Sequence, residues 1–126
     1  MIKILLVEDD ALMIRMYQRV FTHAGYMVDI AKDGQEGWEK VKANPPDLIL
    51  LDVMMPMVNG LELLKKLKAD PKLKEILVVL LTNLGIQGEL DKAIKEGAVE
   101  YIIKSNHPPG EVMQMIKEIL NKNHKS

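Results

Sequence analysis

Ile4-Leu5-Leu6-Val7-Glu8-Asp9-Asp10 and Leu48-Ile49-Leu50-Leu51-Asp52 are two short apolar runs that each end in acid. Their apolar positions are continuous rather than alternating, the pattern of strands covered on both faces. If the two strands lie side by side, their ends gather three or four carboxylates. Two like charges about 4 Å apart repel by roughly 4 kcal/mol at an effective dielectric near ~20, so fold stability alone does not select such a cluster. A bound cation or another electrostatic task is expected there.

The same punctuation recurs along the chain. Met27–Ala31, Ile76–Leu81 and Val99–Ile103 are further strand candidates, with amphipathic stretches between them. Met13, Tyr17, Val20, Phe21 and Ala24 repeat at helical spacing ahead of a capping glycine, Gly25. Asp33-Gly34-Gln35-Glu36 opens a second helix with the spacing of a capping box, and Asn59 with Glu62 opens a third. A fourth, around Glu89–Glu96, carries Leu90, Ala93 and Ile94 on one side and stops at Gly97. A fifth follows Pro108-Pro109, with Val112, Met113, Ile116, Ile119 and Leu120 inward. Five strand–helix units in strict alternation predict an α/β fold with a doubly wound parallel sheet and right-handed crossovers. Trp38 beside Val41 reads as core, the methionines mostly as core filler, and Lys65, Lys66 and Lys68 as a solvated basic helix face.

Composition narrows the function classes. The 126 residues, 48% hydrophobic and 28% charged, suit one domain with a real core. Residues 1–122 form that domain and 123–126 a solvated tail. A net charge of −1, from 17 basic and 18 acidic residues, gives no basic footprint for nucleic acid or an anionic membrane. The lack of cysteine excludes disulfides, thiolate zinc sites and thiol catalysis. The longest aliphatic run, Ile76–Leu81, is far short of the roughly 20 residues that span a bilayer. The N-terminus turns acidic too soon for a signal peptide, so a cytoplasmic location is expected.

In open parallel sheets, ligands bind beyond the carboxyl ends of the strands, where strand order reverses. Here those ends carry Glu8, Asp9 and Asp10, then Asp52, then Thr82 and Asn83, then Lys104. Asp10 reads as a helix N-cap. Carboxylate oxygens suit a hard cation, Mg²⁺ or Mn²⁺, which leaves positions for water and phosphate oxygens. A carboxylate also serves as a nucleophile that takes a phosphoryl group as an aspartyl phosphate. Thr82 is placed to hydrogen-bond one phosphoryl oxygen and Lys104 to neutralise another. Phosphoryl transfer to Asp52 is the chemistry that fits, with catalysis by positioning and charge neutralisation.

From Lys3 to about Leu120 the chain resembles the receiver domains of two-component response regulators, in particular the stand-alone, chemotaxis-regulator type. The residues that carry the likeness occur in order: Glu8-Asp9, Asp52-Val53-Met54-Met55-Pro56 with Gly60, Thr82, and Tyr101 three residues before Lys104. The resemblance implies a flavodoxin-like, five-stranded sheet of order 2-1-3-4-5 with five helices. It implies Asp52 as phospho-acceptor, Asp9 and Asp52 as direct metal ligands, Glu8 acting through water, and the Met54 carbonyl completing the protein's share of the metal shell. Thr82 and Tyr101 would be the switch pair relaying the change to strands 4–5 and helices 4–5, with Asn83 beside them and Lys104 holding the phosphoryl group. The implied donor is a histidine kinase or phosphotransfer protein, and the implied state a monomer or weak phosphorylation-linked dimer that is not itself an enzyme. This chain has Ser105 where the family usually has proline after the lysine. A cis bond before a non-proline residue costs roughly 2.5–4 kcal/mol, so a trans Lys104–Ser105 bond is expected.

Other readings stay open. The chain could be a receiver cut from a larger regulator or hybrid kinase, or a receiver-like interaction module that is never phosphorylated. A phosphatase of the haloacid-dehalogenase type also uses an aspartyl phosphate, but it places a second acid two residues after the nucleophile, where this chain has Met54.

Overall fold

Five parallel strands form one sheet in the order β2-β1-β3-β4-β5: β1 (Lys3–Val7), β2 (Met27–Ala31), β3 (Leu48–Asp52), β4 (Leu77–Thr82) and β5 (Glu100–Ile103). The helices between and after them are α1 (Ala11–His23), α2 (Gly34–Ala43), α3 (Gly60–Ala69), α4 (Gln87–Lys95) and α5 (Pro109–Asn123). The computed structural model describes residues 1–53, 60–82 and 87–123, with side chains for all of these except 60, 61 and 87–90. Fold class and strand order agree with the sequence expectation.

The sheet is covered on both sides, and the strands' continuous apolar runs follow from that. Even-numbered positions of β1 and β3, such as Ile4, Leu6, Leu48 and Leu50, pack with Tyr17 and Phe21 of α1 and Val112 and Ile116 of α5. Odd-numbered positions, such as Leu5, Val7, Ile49 and Leu51, pack with Val41 of α2, Leu63, Leu64 and Leu67 of α3 and Ala93 of α4. Each such side chain, fully removed from water, contributes on the order of 1.5–3 kcal/mol. Register aligns the strand ends, since Val7 lies level with Ala31 and Leu51, Asp52 with Leu81, and Thr82 with Ile103. The residues that follow β1, β3, β4 and β5 therefore emerge at one edge.

Local signals set the helix ends. Asp10 caps α1 through the amides of Leu12 and Met13, at 2.9 and 3.2 Å. Asp33 accepts from the Glu36 amide at 2.8 Å while Glu36 Oε1 accepts from the Lys32 amide at 2.6 Å, a reciprocal pair close to the expected capping box. Asn59, expected to cap α3, lies outside the described residues. At Gly25 and Gly97 the chain leaves α1 and α4 with φ of 97° and 120°, a conformation that favours glycine.

Three surface expectations change. Trp38 is half-buried at the rim between α2 and α3, with Lys42 and Lys66 ammonium groups 5.2 and 5.7 Å from its ring centre, because the amphipathic indole accepts cations over its face. Lys68 is not a solvated charge. Its stem packs under the turn after α4 and its Nζ donates to the carbonyls of Lys74 and Ile76 at 2.8 and 2.9 Å, tying α3 to the approach of β4. Ile94, expected inward, is 37% exposed, since Ala93 takes the buried position beside it.

A Cβ at Gly97 would meet the Lys68 stem at 3.0 Å, in a backbone region strained for any L-residue, whereas one at Gly110 in the first turn of α5 meets nothing within 4 Å. Urea unfolding is therefore expected to show Gly97→Ala destabilised by on the order of 1–3 kcal/mol and Gly110→Ala unchanged or stabilised by up to about 1 kcal/mol.

Candidate functional site

The strand alternation that builds the core continues past the strands into the site. Leu6, Leu50 and Ile102 belong to the cluster under α1 and α5. Two residues further on stand Glu8, Asp52 and Lys104. The ladder extends far enough to hold the first of these, as the Glu8 amide donates to the Ala31 carbonyl at 2.9 Å. Lys104 opens a short 3-10 turn, Lys104–Asn106, closed by the His107 amide on the Lys104 carbonyl at 3.3 Å. The Lys104–Ser105 bond is trans, as expected, and no cis bond occurs among the described residues.

From that turn the lysine reaches across to both acids. Its Nζ donates to Glu8 Oε1 at 2.5 Å and to Asp52 Oδ2 at 3.0 Å. All three side chains are nearly removed from solvent, with 9% of the lysine, 1% of Glu8 and 5% of Asp52 still exposed. The other Glu8 oxygen, Oε2, accepts from the amides of Asp9 and Asp10 at 3.0 and 3.2 Å. One carboxylate oxygen each from Glu8, Asp9 and Asp52 lies within 4.8 Å of the others, with Asp9 exposed at the rim. Among the described residues, Glu8, Asp52 and Thr82 are the buried polar or charged side chains apart from Tyr17, and all three stand at this edge. Such a concentration is the mark of a functional site rather than of core design.

Electrostatics follow from that burial. Desolvation pushes the Glu8 carboxyl up to about 7; the hydrogen bond from Lys104 opposes the rise and the neighbouring Asp52 adds to it. Burial by itself would lower the Lys104 amine, but its hydrogen bond to Glu8 and the charges of Asp52 and Glu8 outweigh it, so the amine lies above its ordinary value and stays protonated. Three acids face one cation. The donor set is all hard oxygen and under-neutralised, which fits a divalent ion such as Mg²⁺ or Mn²⁺.

The structure thus brings Glu8, Asp9, Asp52 and Lys104 into one cluster. Thr82, 1% exposed, ends β4 at the same edge, and Tyr101 lies on β5 level with Leu80, half-buried against the core on the α2–α4 side. Met54 and Asn83 lie outside the described residues. Two features escaped the sequence. Glu8 is the nearer acceptor of Lys104, a contact that the residue order did not indicate. Tyr17, read as core, is wholly buried as expected, yet its hydroxyl has no hydrogen-bond partner among the described residues and feels the charges of Lys104, Glu8 and Asp52. A tyrosine at helical spacing looks like any other core aromatic, so no sequence signal distinguished it.

Comparison with known proteins agrees with this geometry. The family described as "Response regulator receiver domain" matches residues 4–117. The chemotaxis protein CheY1 of Helicobacter pylori is 38% identical over 120 residues, spanning 94% of this chain and 93% of the relative. Among solved structures, the phosphorylated cyanobacterial phytochrome response regulator RcpA superposes with a TM-score of 0.81 at 33% identity, covering 94% of this chain and 91% of that one. The Mn²⁺-bound form of response regulator Rcp1 gives 0.82 at 28% identity, over 96% and 93%. With the strand order, the edge of acids and the basic residue at the end of β5 in agreement, the chain belongs to the response regulator receiver domains, the phospho-accepting switches of two-component signalling.

Proposed function

We propose that Asp52 is the phospho-acceptor of a Mg²⁺-dependent switch, charged by a histidine kinase or a phosphotransfer protein, in the cytoplasm. The observation that carries this is the position of Asp52. It is a buried carboxylate at the end of the central strand, with an ammonium group 3.0 Å away and two further acids around it. In the reaction an Asp52 oxygen attacks the phosphorus of a phosphohistidine, the P–N bond breaks, and the imidazole leaves with the electron pair. Lys104 neutralises the phosphoryl charge and the Thr82 hydroxyl donates to one of its oxygens. Asp9 and Asp52 would hold the metal directly and Glu8 through water, with the Met54 carbonyl completing the set. When bound, the ion neutralises charge on the transferring group.

The added phosphoryl group carries about −1.5 to −2 charges and pulls on Thr82, so the change passes through Thr82 and Tyr101, with Asn83 beside them, to the face of β4, β5, α4 and α5. The protein assists its own phosphorylation and dephosphorylation without being an enzyme toward other substrates. It works as a monomer or a weak, phosphorylation-linked dimer. The Mn²⁺-bound and phosphorylated states of the two structural relatives support the metal and the acceptor chemistry.

Incubation with acetyl phosphate and Mg²⁺ is expected to add one phosphoryl group to the wild type and none to Asp52→Asn by intact mass; an adduct surviving in the variant would place the acceptor elsewhere.

Charge gives two stability predictions. Glu8 titrates at about 7 in the folded protein against an ordinary 4.5. Between those values the folded state holds a proton that the unfolded chain has lost, so stability falls as pH rises through this window. The fall attributable to Glu8 is on the order of 3 kcal/mol at most, and Glu8→Gln should flatten it in urea titrations with EDTA. An equally steep profile in the variant would mean that the carboxyl titrates normally. Asp9→Asn should raise the urea midpoint in EDTA, a gain in stability on the order of 1 kcal/mol from removing like-charge repulsion, while Mg²⁺ stabilises the wild type more than the variant. Unchanged midpoints would mean that Asp9 stands outside the cluster.

A further inference from the structure

Lys104 is shared between two acids, and a phosphoryl group on one of them would change how it is shared. In the structure it is the donor to Glu8 Oε1, and it lies closer to Glu8 than to Asp52. A phosphoryl group on Asp52 draws the ammonium toward the new charge. Glu8 would then keep the Asp9 and Asp10 amides on Oε2 but lose the ammonium on Oε1, leaving that oxygen to a metal-held water or to a donor from the protein.

A donor stands ready on α1. Tyr17 is 0% exposed, and its hydroxyl has no partner among the described residues, which is rare for a buried O–H group. It packs within the cluster of Leu6, Leu50 and Ile102, the side of the sheet whose next positions are Glu8, Asp52 and Lys104. We propose that Tyr17 is a positioning residue, whose hydroxyl takes the place of Lys104 at the Glu8 carboxylate when the lysine moves to a phosphoryl group on Asp52. The unpartnered hydroxyl of the resting state is then the donor held for the phosphorylated one, and it eases the release of the lysine. Burial, followed by the charges of Lys104, Glu8 and Asp52, sets the hydroxyl's acidity at about 12, so it remains a proton donor throughout. The role in signalling rests on Asp52 as acceptor, but the hydrogen bond itself is testable without phosphorylation.

The test compares wild type, Tyr17→Phe, Lys104→Met and the double variant by urea unfolding in EDTA with no phosphodonor. With Lys104 present, Tyr17→Phe should leave the folding equilibrium constant unchanged or improve it, since it removes an unpaired hydroxyl. With Lys104→Met, the same change should reduce the constant by about tenfold. Equal effects in the two backgrounds would overturn the proposal. The ¹³Cζ resonance of Tyr17, assigned through Tyr17→Phe, should also move between wild type and Lys104→Met; an unmoved resonance would overturn it too. Should Lys104→Met not fold, the wild-type resonance is followed on adding beryllofluoride and Mg²⁺, with the Thr82 amide reporting occupancy. Movement supports the proposal and a static resonance in the occupied protein overturns it. Failure in any arm leaves the Asp52 assignment intact, and an Asp52→Asn protein that still takes up phosphate would overturn only that assignment.

Discussion

One ammonium group between two buried carboxylates holds the functional end of this molecule together. Lys104 joins the ends of β1, β3 and β5 through Glu8 at 2.5 Å and Asp52 at 3.0 Å. Burying two acids is tolerable only with a counter-charge and fully used lone pairs. Glu8 meets that condition through the lysine on one oxygen and two backbone amides on the other. Asp9 stays at the rim, so the cluster holds an excess of negative charge facing solvent. The excess is what a divalent ion would neutralise, and the single shared cation is what a phosphoryl group would draw away. In the proposed switch, stability and signalling would therefore draw on the same lysine.

The sheet makes that sharing possible by fixing distances. Parallel register aligns the ends of four strands, and alternation turns Glu8, Asp52 and Lys104 to the side of Leu6, Leu50 and Ile102, while Tyr101 lies on the opposite side with Leu80. A change at Asp52 can thus be felt in two layers. In the proposed switch the α1–α5 layer would meet it through the lysine and Tyr17, and the α2–α4 layer through Thr82 and Tyr101.

Much of this was legible before any coordinates. Continuous apolar runs revealed strands covered on both faces, and the acids that ended two of them revealed the site, because charge at a strand end is unfavourable without a task. Capping signals at Asp10, Asp33 and Pro109 placed the starts of three helices. What the sequence withheld depended on distances. Nothing in the order of residues says that Glu8 lies nearer Lys104 than Asp52 does, or that the Tyr17 hydroxyl reaches a charged neighbourhood instead of packing as plain core. Lys68 likewise looked solvated, because a lysine's stem can bury while its head finds carbonyls that sequence spacing does not reveal. Trp38 and Ile94 were misjudged for a related reason: helical periodicity gives the inward face but not where the covered area ends.

The central claim is that the phosphoryl group sits on Asp52, and its most direct test reads the residue itself. Borohydride reduces an acyl phosphate to the alcohol, so an aspartyl phosphate becomes homoserine at its own position. Peptide mapping of the protein treated with acetyl phosphate, Mg²⁺ and then borohydride is expected to show homoserine at position 52 alone; homoserine at position 9, or at any other acid with position 52 intact, would contradict the account.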